Sequence, residues 1–199
     1  VGPKRWLHNP KTTLEEVVTR ESEHIGPLFA IGQPSERLPP LGAARDYLNT
    51  DDWQKTVENL IESAAQVVFI PGDTPSLKWE FETIESKGQS QNTTILFAEH
   101  YGNSNRPENW LAPQYMKSWW KNDDFNSVLG AIIGKSFSPL IMYMESGDTH
   151  SIISKAHDSI DYQIALRLAF LHKRNEIRTE DMTKLYSYNG PNYVDLVNR

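Results

Sequence analysis

The 199 residues carry 20 Lys and Arg against 26 Asp and Glu, a formal charge of −6, with 38% hydrophobic and 11% aromatic content, which is ordinary for one soluble domain with a full core. An acidic excess without a basic stripe argues against nucleic acid or anionic lipid as a partner. The absence of cysteine excludes disulfides, thiolate metal sites and cysteine nucleophiles, and fits a reducing, cytoplasmic setting.

The chain opens on Val1 rather than methionine, so it reads as a processed chain or a domain cut from something longer. Lys4-Arg5-Trp6 fits either a solvated tail or the basic, aromatic flank of an upstream membrane helix. No run within the chain reaches the ~18 apolar residues of a spanning helix. Thr12 with Glu15, or Thr13 with Glu16, forms a capping box ahead of a helix carrying Leu14, Val17 and Val18.

Leu28 to Ile31 is a short apolar run of the parallel-strand type. The following Gly32 to Arg45, GQPSERLPPLGAAR, reads as an ordered loop over a site, and Ala44 to Leu48 as a short edge strand. Asp51 with Gln54 caps a helix on which Trp53, Val57, Leu60, Ile61 and Ala64 recur at helical spacing.

The stretch Gln66 to Glu85, QVVFIPGDTPSLKWEFETIE, organises the rest. A strand from Val67 to Ile70 runs into a Pro71-Gly72-Asp73 turn, and a helix opens near Ser76, the arrangement that presents backbone N–H groups to an anion. Gly72, Asp73, Thr74 and Ser76 either cap the helix or hold a phosphate. Leu77, Phe81 and Ile84 define the buried side, which puts Glu80 on its flank, in the first turn, and Glu82 in water. Glu80 has two readings: a carboxylate complementing the helix dipole, or one gripping ribose hydroxyls and acting at an anomeric carbon. Burial would raise its pKa and the helix N-terminus would lower it.

Thr93 to Ala98 is the next strand, with His100 beyond it as a loop histidine or a general base. Residues 101–126 form an irregular, tryptophan-rich insertion, Leu140 to Met144 a fourth strand, and Glu145 to Thr149 a polar loop. The spacing of Asp148, His150 and His157 matches no metal site, so no metal is expected. Ile160, Ile164, Leu168 and Leu171 mark a long helix capped near Asp158 or Ser159, and Thr179 to Tyr186 a last short helix before a tail.

Apolar strands alternating with helices predict a parallel sheet with helices on both faces, residues 26–175, preceded by a helical segment over 1–25 and followed by an extension over 176–199. The loops at Gly32, Pro71 and Glu99 should then converge at the carboxyl ends of the strands. Glu36, Arg37 and Arg45 are the charged groups there, and an arginine among them either pairs with a phosphate, stays solvated or bridges to Glu36. Trp53 and Trp79 either pack in the core or stack a nucleobase.

The loop GxPxExxPPxGAAR, the DxWQ helix start at Asp51 to Gln54 and the GxTxxLxWE run at Gly72 to Glu80 resemble an uncharacterised bacterial family in which a similar domain follows membrane-spanning helices; the likeness covers Gly26 to Ile84. The arrangement also resembles the Toll/interleukin-1 receptor (TIR) and nucleoside deoxyribosyltransferase folds, in which a glutamate on the helix after a central strand works on an N-glycosidic bond; Glu80 and Glu82 are both counterparts. IPGDTPSLKWEF is further similar to the PGGxGTxxE loop of lysine-decarboxylase-like phosphoribohydrolases, with Asp73 in place of the second glycine. These resemblances imply a three-layer Rossmann-like, TIR-like or flavodoxin-like domain on the cytosolic side of a membrane protein. It would bind a nucleotide or NAD through Gly32, Glu36, Arg45, Gly72, Asp73, Thr74, Ser76 and Trp79, with Glu80 catalytic. The alternative they imply is a noncatalytic module that self-assembles or signals to membrane helices.

Overall fold

The computed structural model describes residues 12–31, 44–46, 53–72, 74–98, 138–154, 158–178, 180–181 and 192–195. Helix α1 (Leu14–Ser22) starts at the Thr13 capping box: the Thr13 hydroxyl accepts from Glu16 N–H and the Glu16 carboxylate accepts from Thr13 N–H. Strands β1 (Phe29–Ile31) and β2 (Ala44–Asp46) pair in parallel, the second within the expected edge strand. The intervening loop, including Gly32 and Glu36, lies outside the described residues.

Helix α2 (Trp53–Ser63) buries Val57 and Ile61 and leads into β3 (Val67–Phe69). Helix α3 (Pro75–Ser86) follows with Phe81, Thr83 and Ile84 buried. A 3-10 turn (Ser90–Asn92) then delivers β4 (Thr93–Leu96), every residue of which is buried. Lys87, just past α3, ties that helix to α2 through Glu58 at 2.7 Å and Glu62 at 3.1 Å.

Strands β5 (Ser138–Glu145) and β6 (Asp148–Ser154) form a hairpin closed by Ser146 and Gly147, both at positive φ (51° and 91°), and Gly tolerates that conformation freely. Helix α4 (Ser159–Lys173) starts at Asp158, whose carboxylate accepts from the N–H groups of Ile160 and Asp161. Strand β7 (Asn192–Asp195), within the stretch read as an extension, pairs with β6.

The main sheet runs β3-β4-β5-β6-β7. This is a mixed α/β fold, and it corrects the expected all-parallel sheet: β3–β4 is parallel, whereas β4–β5, β5–β6 and β6–β7 are antiparallel. For β5–β6 the cause is the two-residue turn between them. Two residues can join only antiparallel neighbours, since a parallel return needs a crossover of a dozen or more. The polar loop expected over Glu145 to Thr149 is therefore a tight turn plus the first residues of a strand.

Successive strand residues divide between two cores, as a period of two requires. Phe69, Ile95, Met142 and Ile153 join Val57 and Ile61 of α2 and Phe81 and Ile84 of α3. Leu96, Ile141, Tyr143 and Ile152 join Val17 and Val18 of α1 and the apolar side of α4. That side of α4 is Tyr162, Ala165, Leu166, Leu168, Ala169 and Phe170, whereas Ile160 and Ile164 are each 36% exposed, so the expected stripe is rotated from the true one. Against this core Glu21 of α1 is buried and accepts a two-pronged bond from Arg167 of α4, Nε at 2.7 Å and Nη2 at 2.9 Å. No helix among the described residues is long and apolar enough to cross a membrane.

Candidate functional site

The β3–α3 turn is built by its cap. Thr74 is the N-cap residue and its hydroxyl accepts from Leu77 N–H at 3.3 Å, while Pro75 takes the first helical position, where a missing N–H costs nothing. With Leu77 N–H engaged and Pro75 lacking one, Ser76 supplies the remaining first-turn donor among the described residues. An anion here meets that N–H and the two hydroxyls, fewer donors than an open helix end offers. Gly72 has a packing reason: a Cβ on it would stand 2.8 Å from Leu77 Cδ1.

Glu80 sits in the second turn of α3, not the first, because the helix opens at Pro75. It lies beyond the reach of most of the dipole effect, which fades within the first turn. Burial instead dominates and raises its pKa above the ordinary 4.5. Glu82, by contrast, is exposed and pairs with Lys78 at 3.7 Å. Beside Glu80 in sequence, the half-buried Trp79 meets Trp53 edge-to-face, ring centroids 5.0 Å apart, and both pack on the α2–α3 core.

Of the remaining expected residues, Ser76 is exposed, and Arg45 is described only as a backbone position pairing with Ala30. Gly32, Glu36, Asp73, His100 and His157 lie outside the described residues. No protein-family model, curated protein or solved structure matches this chain.

A second constellation lies at the other end of the sheet, on the α4 face. Glu145 ends β5, His150 pairs across the hairpin with Tyr143, and His172 comes from the last turn of α4. One ligand atom from each of Glu145, His150 and His172 lies within 4.8 Å of the others. The His172 Nε2 stands 3.9 Å from Glu145 Oε2, and its Nδ1 is hydrogen-bonded to the Tyr143 hydroxyl at 2.9 Å. Ser146 Oγ donates to the other carboxylate oxygen, Oε1. The Tyr143 ring stacks on His150 at 5.3 Å and 28°, and the two imidazoles meet edge-to-face at 4.9 Å. Next to His172, Lys173 donates to Thr93 O at 3.2 Å, and burial pushes its ammonium down to about 7.

In the sequence Asp148, His150 and His157 resemble metal ligands by residue type only, and their spacing led to the expectation of no metal. Asp148 is exposed and only His150 belongs to the cluster. Glu145 and His172 were missed because they come from a strand end and a helix end that no linear spacing connects. The one available signal was the Ser146-Gly147 pair, a turn dipeptide that folds Glu145 back beside the strand carrying His150.

Proposed function

We propose that the chain is a Rossmann-like, three-layer domain that binds a nucleotide or NAD-like ligand at the carboxyl end of β3, with Glu80 acting at a ribosyl N-glycosidic bond. The observation that carries this is the Glu80 carboxyl, half-buried on the helix that leaves β3 and held above its usual pKa by burial. A carboxyl shifted that way keeps its proton closer to neutral pH, which suits an acid that protonates or stabilises a leaving base. The layer assignment is supported by Leu28, just before β1, and Val68 of β3, which pack on the same core. A β1 lying beside β3 would extend the parallel part of the sheet to β2-β1-β3-β4 and bring the Gly32 and Gly72 loops to one crevice. In that crevice Thr74, Ser76 and the turn would take the phosphate and Arg45 would add charge. A cytosolic domain tethered to a bacterial membrane is the setting this reading assumes.

A noncatalytic interaction module is the second reading, favoured by two large apolar side chains in water, Phe29 on β1 (56% exposed) and Ile70 after β3 (43%). Incubation with NAD and with nucleosides separates the two. The first reading expects free base to appear and to be lost in Glu80→Gln, together with a thermal shift on a nucleotide panel; a ligand at 100 times its Kd adds about 2.7 kcal/mol. No released base and a flat panel would leave the interaction module.

A further inference from the structure

We propose that Glu145, His150 and His172 form a binding site for a divalent transition metal of the zinc class, at the end and face of the sheet opposite to the Glu80 turn. Two imidazoles and a carboxylate are a donor set that zinc, cobalt and nickel take and that magnesium and calcium, which want oxygen, do not. The three donor atoms converge within 4.8 Å. Tetrahedral zinc, with bonds of about 2.0–2.2 Å, holds its donors about 3.3 Å apart. Metal binding therefore draws in both the 3.9 Å between His172 Nε2 and Glu145 Oε2 and the remaining separations, which are within 4.8 Å, with the Glu145 carboxylate at the rim of the hairpin the ligand freest to move.

The surroundings favour a metal over a simple ion pair. A ligating histidine ordinarily gives its second N–H to a fixed acceptor, which sets the tautomer and aims the other nitrogen at the metal. Tyr143 Oη stands in that place on His172 Nδ1 at 2.9 Å, and with the proton on Nδ1 the Nε2 lone pair faces Glu145. His150 and His172 are 2% and 3% exposed and in ring contact. The two rings therefore share one buried spot on this face of the sheet, with little freedom to turn away from each other. Ser146 holds the far oxygen of Glu145 and so orients the carboxylate. Three protein ligands among the described residues leave a fourth position for water at the Glu145 rim, where the side chain is 18% exposed. That is the layout of a reactive zinc centre rather than a closed structural one.

The test uses the tag-free chain stripped with chelator. Zinc titrated by calorimetry should bind at one equivalent, cobalt should give the visible bands of a low-coordinate nitrogen and oxygen site, and magnesium should do neither. Glu145→Gln, at the rim and harmless to the core, should weaken zinc binding by at least about tenfold, and His172→Gln should abolish the cobalt spectrum. Asp148→Asn, exposed on the same hairpin, should bind as the parent does. If His172→Gln fails to fold by circular dichroism, the parent cobalt spectrum and Glu145→Gln decide. Absence of zinc binding in the parent, or binding unaltered by Glu145→Gln, overturns the proposal, and either result leaves the Glu80 reading standing.

Discussion

Two glutamates on α3 sit two positions apart and have opposite surroundings. Glu80 is half-buried with a raised pKa, and Glu82 lies in solvent beside Lys78. Helix phase alone made that distinction legible in the sequence, because the buried stripe through Phe81 and Ile84 fixes which flank faces inward. Whether burial or the helix terminus would govern Glu80 was not legible, since the answer depended on the helix opening at Pro75. The raised pKa has a signed consequence. The folded chain keeps the Glu80 proton to higher pH than the unfolded chain, so this contribution to stability is fully present below 4.5 and is lost as pH rises through the folded pKa. Glu80→Gln should therefore gain stability relative to the parent as pH rises from acid to neutral, read as diverging urea midpoints. Parallel midpoints across that range would contradict the burial. At Gly72 the alanine variant should cost only about 1 kcal/mol, because what meets the new methyl is the far end of the Leu77 side chain. A larger loss in chemical denaturation would mean that backbone has to move.

At the scale of elements, the helix starts were the most readable features. Thr13, Thr74 and Asp158 all act as N-caps, each satisfying backbone donors that the helix leaves open. Thr74→Ala should cost about 1 kcal/mol, measured by denaturation. The strands read less well. Continuous apolar residues in β5 suggested a parallel strand, but an antiparallel strand buried on both faces has the same composition, and Leu140 to Tyr143 are indeed fully covered. The α1–α4 link is a stronger element-scale prediction. Arg167→Met leaves the carboxylate of Glu21, 3% exposed, without its cation. The half-exposed arginine allows water to make up part of the loss, so the cost should be about 2 kcal/mol. Pairing it with Glu21→Gln should recover much of that, as a double-mutant cycle would show.

Among the described residues two cores lie on the two faces of the five-stranded sheet, and that sheet is what couples them. Ile95 and Leu96 are neighbours in β4 yet belong to different cores, as do Met142 and Tyr143 in β5. A cut in either core must therefore loosen the same strands. Phe81→Ala and Leu166→Ala, one from each core, should each cost about 3–5 kcal/mol and move one shared transition, with near- and far-UV melts coincident. Separate transitions would show that the cores unfold independently. The α/β class was visible in the alternation of apolar runs and amphipathic helices; strand direction was not, because it is set by a two-residue turn and by long-range pairing. The clasp between Glu21 and Arg167 joins positions 146 residues apart. During synthesis the first helix therefore leaves the ribosome long before its partner exists. The segment from α2 to β4 can collapse on its own apolar side chains while the nascent chain is still growing, but Val17 and Val18 must stay uncovered, or be shielded by a chaperone, until the last long helix emerges.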